Sequence, residues 1–208
     1  MPTNQILAPA FHLVPTRPAD SLAWIKPDLM VRLLPFALAV GAVEAFWRPP
    51  WLGLSPGRLE VQLLFGLLGL PAMLVLAMAA QLVLTRRRGS LRVPAGADDA
   101  LLQAGYYVLN GPLEEAFFRG LLQGGSSLLL TPLGGFALAT TIYVLYHRLG
   151  SWTWADTAAT VLAGVPFGLA FWLLPGPASI LGVSLAHIGA TCGFIGPGPY
   201  LLRRLKLL

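Results

Sequence analysis

Charged residues are scarce in this chain of 208 residues, at 11% of the sequence. A soluble domain carries roughly 25% charged residues, so most of this chain cannot face water. Three long stretches contain no Asp, Glu, Lys or Arg, and they cover residues 61–85, 120–147 and 157–202. A run of about 18 apolar residues already suffices for a membrane-spanning helix. The shortage of charge therefore excludes an ordinary soluble enzyme and predicts an integral membrane protein.

Two further absences limit the fold classes that the sequence can adopt. The single cysteine, Cys192, cannot form an internal disulfide, and its apolar surroundings indicate a packing role. The apolar runs also lack the period-two alternation of transmembrane β-strands. Backbone groups inside lipid must bond within their own segment, and helices meet that requirement. The predicted fold class is an all-α polytopic membrane helix bundle.

The apolar runs predict six transmembrane helices in three regions. Residues 1–28 would form a cytoplasmic or interfacial arm. Residues 29–97 would hold two helices, at about 29–46 and 60–85, and a basic loop from residue 86. Residues 98–208 would form a functional core of four helices with a basic tail. The first of these four, the third helix of the chain, would end near Gln123. The other three would lie at about 132–148, 155–174 and 178–195, and Pro175-Gly176-Pro177 would separate the last two.

The net charge of +5 comes from basic clusters beside apolar spans, at Arg86-Arg87-Arg88, Arg92 and Arg203-Arg204-Lys206. The positive-inside rule assigns these clusters to the cytoplasmic side, which predicts that both termini are cytoplasmic. A nucleic-acid surface would need a folded polar face, and none is visible. The partner that this pattern predicts is the lipid bilayer rather than a nucleic acid.

Ionisable residues within membrane helices are costly and therefore mark candidate sites. Glu114 and Glu115 are adjacent, and Glu115 has Arg119 four residues later, the better orientation for an ion pair on a helix. We interpret this pair as a structural clamp. Glu114 points about 100° away and lacks that partner, which suits a general base. Asn110 as a cap and Pro112 in a first turn predict a helix break just before the acids.

Two histidines lie in the later apolar runs. His147 falls near the end of the fourth predicted span, and His187 falls inside the sixth. Ser184, His187 and Thr191 are spaced i, i+3, i+7, so they share one helical face. A polar face on an otherwise apolar helix should look into the bundle and toward Glu114. An isolated Glu with two His is also typical of a proton relay in a transporter. The residues alone therefore favour a hydrolase and a transporter about equally.

At these residues the sequence resembles the CPBP family, which contains CAAX prenyl proteases and bacteriocin-processing enzymes and is also called Abi. Its Glu-Glu-x-x-x-Arg motif is matched by Glu114, Glu115 and Arg119. Its Phe-x-x-x-His motif appears with an aromatic replacement, as Tyr143 and His147. Its third motif, a His followed four residues later by Asn, appears as His187 with Thr191, which is a departure. The resemblance covers roughly residues 101–195.

The resemblance implies an intramembrane endopeptidase. The glutamate at Glu114 and the histidine at His147 would activate a water, and His187 would form an oxyanion hole with the residue at Thr191. The Thr191 hydroxyl can donate one hydrogen bond in place of the family's Asn. Glu115, Arg119 and Tyr143 would support this site. No cofactor is expected, although the glutamate and the two histidines could instead hold zinc with one open position.

The family implies a membrane-tethered protein or peptide as substrate, in the inner (plasma) membrane of a bacterium. One relevant role is trimming of a C-terminal sorting or anchor helix, as in the myxosortases. The alternatives are a non-catalytic membrane scaffold, a bacteriocin-immunity protein of the same fold, and a proton-coupled transporter. The transporter is disfavoured because the six predicted spans show no paired broken helices.

Overall fold

The structure is a computed structural model that describes residues 12–150 and 152–208, without the side chains of residues 86–88. The first eleven residues of the predicted arm and the side chains of the Arg86–Arg88 cluster therefore lie outside the described part. Helices form most of the described part. They are α1 Pro18–Asp28, α2 Leu34–Trp47, α3 Leu59–Arg88, α4 Ala97–Glu115, α5 Gly125–Leu129, α6 Pro132–Tyr146, α7 Trp154–Ala159, α8 Val161–Leu173, α9 Leu181–Phe194 and α10 Pro197–Arg204.

Short segments of other geometry connect some of these helices. Wider π-helical turns occupy Leu29–Leu33 and Ala116–Gly124, and 3₁₀ turns occupy Pro50–Leu52 and His147–Leu149. Two short strands, β1 His12–Thr16 and β2 Ser90–Pro94, pair in parallel with His12 opposite Ser90. The sequence did not predict this strand pair.

The bundle is of the membrane type, which confirms the predicted fold class. Among the described residues, three helical segments are long and apolar enough to cross a membrane: Pro18–Trp47, Leu59–Thr85 and Trp154–Leu173. Leu181–Phe194 is a shorter apolar helix. Large apolar side chains point outward on these spans, as at Val31 and Phe46, which are 78% and 79% exposed. Such outward faces suit lipid. The count of six spans stays a prediction.

The structure adds two details to the boundaries predicted near the N-terminus. Residues 18–28, assigned to an arm, form α1, which continues through Leu29–Leu33 into α2 as one candidate span. The candidate span Leu59–Thr85 agrees with the second predicted span, and α3 continues from it to Arg88, where Gly89 caps the helix. Gly89 has a φ of 74°, a left-handed conformation that glycine adopts without strain.

The helix break predicted before the acids was misplaced. Helix α4 passes through Asn110 and Pro112 and reaches Glu115, and the geometry widens into the π segment only from Ala116. Asn110 does not cap a helix, because its side chain accepts a hydrogen bond from Arg32. Membrane helices tolerate an internal proline when neighbouring groups satisfy the freed backbone. The two acids therefore lie at the C-terminal end of α4, directly before a π segment, a feature that is frequent at functional sites.

Helix α9, which carries His187, packs closely along α3. A Cβ added at Gly189 would overlap the carbonyl oxygen of Leu70, and one at Gly193 would overlap that of Leu74. Small residues that let two backbones approach are typical of helix pairs in membranes. This packing fixes the position of α9 against the long helix α3.

Candidate active site

One face of α4 carries polar side chains toward a cavity. Gln103, Tyr106, Asn110 and Glu114 follow the helical spacing i, i+3, i+7, i+11, and all four line the same cavity of about 780 Å³. His147, His187 and Thr191 line it as well. Its volume lies within the range of roughly 300–1,000 Å³ that is usual for ligand sites. The fold thus brings the acid and both histidines of the three sequence motifs to one cavity.

Glu115 lies between two partners. Its Oε2 is 3.3 Å from the Nε of Arg119, and both side chains are 0% exposed. Its Oε1 is 2.6 Å from the Nδ1 of His187. The predicted Glu115–Arg119 ion pair is present, and the bond to His187 was not anticipated. Glu115 therefore fixes the orientation of His187 as well as anchoring its own helix.

Glu114 does not lack an ion-pair partner, which corrects the prediction from helical spacing. Its Oε1 pairs with the Nη1 of Arg32, a residue of the π segment Leu29–Leu33. The pair was missed because its members are 82 positions apart in the chain. The Oε2 of Glu114 is 3.4 Å from the Nε2 of His187, without hydrogen-bond geometry. Among the described residues this oxygen has no hydrogen-bond partner.

His147 lies in the 3₁₀ turn that follows α6. Its Nδ1 is 2.7 Å from the carbonyl oxygen of Tyr143, and only a protonated Nδ1 can donate to a carbonyl. This bond selects the tautomer whose Nε2 is free to accept a proton. The ring packs edge-on against Tyr143, at 4.8 Å between centroids, and at a tilt against Trp152, at 4.9 Å. His147 is thus held by its surroundings while it lines the cavity.

Tyr143 lies at the centre of this group. Its ring is 6.1 Å from the ring of His187, and the Cζ of Arg119 lies 5.0 Å from its centroid. It is buried, and Gly164 on α8 provides the space beside it. The ring therefore packs between the clamp and both histidines, which is a supporting position.

The predicted polar face of α9 is divided between two cavities. His187 and Thr191 line the large cavity, whereas Ser184 lines a smaller one beside Pro112. Ser184 thus does not face Glu114 across the large cavity, which corrects that part of the prediction. The cause is the position of α4, whose Gly111 lies against the carbonyl oxygen of Ser184.

The three residues suggested as zinc ligands have other contacts. Within residues 12–150 and 152–208, no group of three or more His, Cys, Asp or Glu side chains is arranged to hold a metal ion. The Nδ1 atoms of both histidines are engaged by Tyr143 and Glu115. Such Nδ1 bonds are compatible with metal ligation through Nε2, so it is the spacing of the three side chains that does not form a zinc site within the described residues.

Comparison with known proteins gives one match. Residues 96–192 match the model of the Rce1-like family, described as type II CAAX prenyl endopeptidase Rce1-like. The matched segment contains Glu114, Glu115, Arg119, Tyr143, His147 and His187, and it confirms the family resemblance carried by the three motifs. No curated protein and no solved structure matches the chain. Arg32 lies outside the matched segment.

Proposed function

Because residues 96–192 match the model of the Rce1-like family, we propose that this chain is an intramembrane endopeptidase that hydrolyses a membrane-tethered protein or peptide. The observation that carries the proposal is the cavity shared by Glu114, His147 and His187 within a bundle of apolar helices. A water-filled site inside a membrane bundle is where intramembrane ionisable residues are tolerated.

The proposed chemistry begins with activation of water. The Oε2 of Glu114, which has no hydrogen-bond partner among the described residues, takes a proton from a water in the cavity. His147 orients that water through its Nε2, because its Nδ1 is committed to the carbonyl of Tyr143. The water oxygen then forms a bond to the scissile carbonyl carbon. When the C–N bond breaks, the proton passes from Glu114 to the leaving amine.

Stabilisation of the oxyanion is assigned to α9. In the imidazolium form, His187 donates from Nδ1 to Glu115 and from Nε2 into the cavity. The hydroxyl of Thr191 supplies a second donor, since Thr191 lines the same cavity one helical turn later. Removing a single oxyanion donor typically costs about 10²–10³ in kcat, so this pair would account for a large part of the rate.

For the substrate, we propose a protein or peptide that reaches the cavity from the membrane, including a C-terminal sorting or anchor helix. Support comes from the apolar exposed faces of the spans and from a cavity that combines polar residues with apolar ones such as Met73 and Leu76. We place the chain in a bacterial plasma membrane with both termini cytoplasmic, on the positive-inside rule. Arg203 and Arg204 at the end of α10 fit that orientation.

Purified protein in lipid nanodiscs tests the proposal against a panel of peptides that carry a C-terminal membrane helix. We expect cleavage by the wild-type protein and by Glu60→Gln, because Glu60 is exposed and pairs only with Arg58 among the described ion pairs. Glu114→Gln should lose cleavage while folding normally. Cleavage that is equal in Glu114→Gln and wild type would reject the proposal and favour a non-catalytic membrane role.

A further inference from the structure

Arg32 brings the N-terminal helices into the candidate active site. Its Nε and Nη2 donate to the two carboxylate oxygens of Asp28, at 2.8 and 2.5 Å. Its Nη2 also donates to the hydroxyl of Tyr106, at 2.8 Å, and to the Oδ1 of Asn110, at 2.6 Å. Its Nη1 pairs with Glu114. One guanidinium near the middle of the first candidate span thus contacts three successive turns of α4.

These contacts leave little capacity for a substrate. Arginine has five N–H donors in a fixed planar fork, and the chain's own oxygen atoms occupy both sides of the fork. Tyr106 additionally donates its hydroxyl hydrogen to Asp28, which ties the partners of Arg32 to each other. A residue placed to receive a substrate carboxylate would keep its fork free. The contacts of Arg32 instead hold α4 against the first candidate span.

The Arg32 guanidinium contacts only one of the two carboxylate oxygens of Glu114. Because Arg32 engages Oε1, the carboxylate cannot rotate freely, and Oε2 faces His187 without a hydrogen bond. The two oxygens of an unrestrained carboxylate would exchange positions. Here one oxygen is anchored and the other remains available for a proton.

We infer that Arg32 is a positioning residue that aims the Oε2 of Glu114 at the reacting water. This inference rests on the proposed function, and it adds a residue from outside the Rce1-like segment to the site. Displacing a reacting group by about 1 Å can cost on the order of 10²-fold in rate, so loss of the anchor should lower turnover without removing substrate contacts.

The test compares turnover in Arg32→Gln, Arg32→Lys and the matched control Arg58→Gln, whose parent side chain is exposed and pairs with Glu60. We expect kcat to fall about tenfold to 100-fold in Arg32→Gln, with KM nearly unchanged. Arg32→Lys should recover only part of the loss, because an ammonium keeps the charge and lacks the fork. Arg58→Gln should match the wild type.

Chemical rescue separates positioning from folding. In Arg32→Ala, guanidinium added well below denaturing concentrations should raise kcat, whereas equimolar sodium should not. If Arg32→Gln fails to fold, the same measurements on Arg32→Lys decide the question. Unchanged kcat in the folded variants, a change confined to KM, or no rescue would overturn the inference. If Glu114→Gln keeps full activity, the proposed function itself fails, and the two failures are therefore distinguishable.

Discussion

The Nδ1 of His187 lies 2.6 Å from the Oε1 of Glu115, although the two residues are 72 positions apart in the chain. The same carboxylate pairs with Arg119 one turn further along the π segment. Glu115 thus connects the end of α4 to α9 within the segment that matches the Rce1-like family. The adjacent Glu114, on a different side of the helix, faces the cavity instead. Glu114 and Glu115 therefore have different contacts because their side chains point in different directions.

The first prediction concerns the clamp. Arg119→Ala should lower the free energy of unfolding by about 3–5 kcal/mol, because it removes the guanidinium that pairs with the buried Glu115 carboxylate. Arg58→Ala is the matched control, since its side chain and that of Glu60 are 53% and 68% exposed. An ion pair so exposed contributes little to stability, so Arg58→Ala should leave the free energy of unfolding nearly unchanged. Thermal unfolding in detergent measures both variants. Equal stability of Arg119→Ala and Arg58→Ala would show that the clamp is not structural.

The second prediction concerns the contact between α3 and α9. Gly189→Ala should destabilise the protein by roughly 1–3 kcal/mol, because the added methyl group meets the backbone at Leu70 and forces the helices apart. Gly105→Ala on α4 is the control, since a Cβ there meets nothing within 4 Å. That change should be neutral or stabilising by roughly 0.5–1 kcal/mol. If the two substitutions have the same effect on thermal unfolding, α3 and α9 do not pack as closely at Gly189 as described.

The third prediction concerns Thr191. Thr191→Asn should retain or raise the rate of peptide cleavage, because it supplies the amide donor that the family motif has at this position. Thr191→Val should lower the rate, since valine keeps the shape of threonine and removes the hydroxyl donor. A rate in Thr191→Val equal to that of the wild type would exclude an oxyanion role for this residue.

The fourth prediction separates the two hydrolytic mechanisms. A zinc chelator should leave the cleavage rate unchanged, because the described residues contain no group of three His, Cys, Asp or Glu side chains spaced to hold a metal ion. The measurement is the initial rate before and after prolonged dialysis against the chelator. Loss of activity that zinc restores would reassign Glu114, His147 and His187 to metal ligation.

Local sequence patterns were sufficient for part of this site. The spacing of Glu115 and Arg119 predicted their ion pair, because i, i+4 contacts depend only on helical geometry. The charge-free runs predicted the helical membrane bundle in the same way. Both inferences use short-range rules that tertiary packing left intact.

Long-range contacts could not be predicted from such patterns. Asp28 and Arg32 were visible as ionisable residues at the start of an apolar run, which is a signal of function. Spacing along one helix nevertheless gives no partner 82 positions away, so Glu114 was thought to lack one. A second long-range contact of Arg32 accounts for the misplaced helix break. Asn110 turns its side chain to Arg32 instead of capping a helix, and α4 continues to Glu115.

The central claim is that Glu114 and His147 act together on one water, and a double-mutant cycle on the cleavage rate tests it most directly. Glu114→Gln and His147→Ala should each lower kcat by about 10²–10⁴. The double variant should be little slower than either single variant, because residues that act as one unit are strongly non-additive. Multiplicative losses in the double variant, or full activity in Glu114→Gln, would contradict the account.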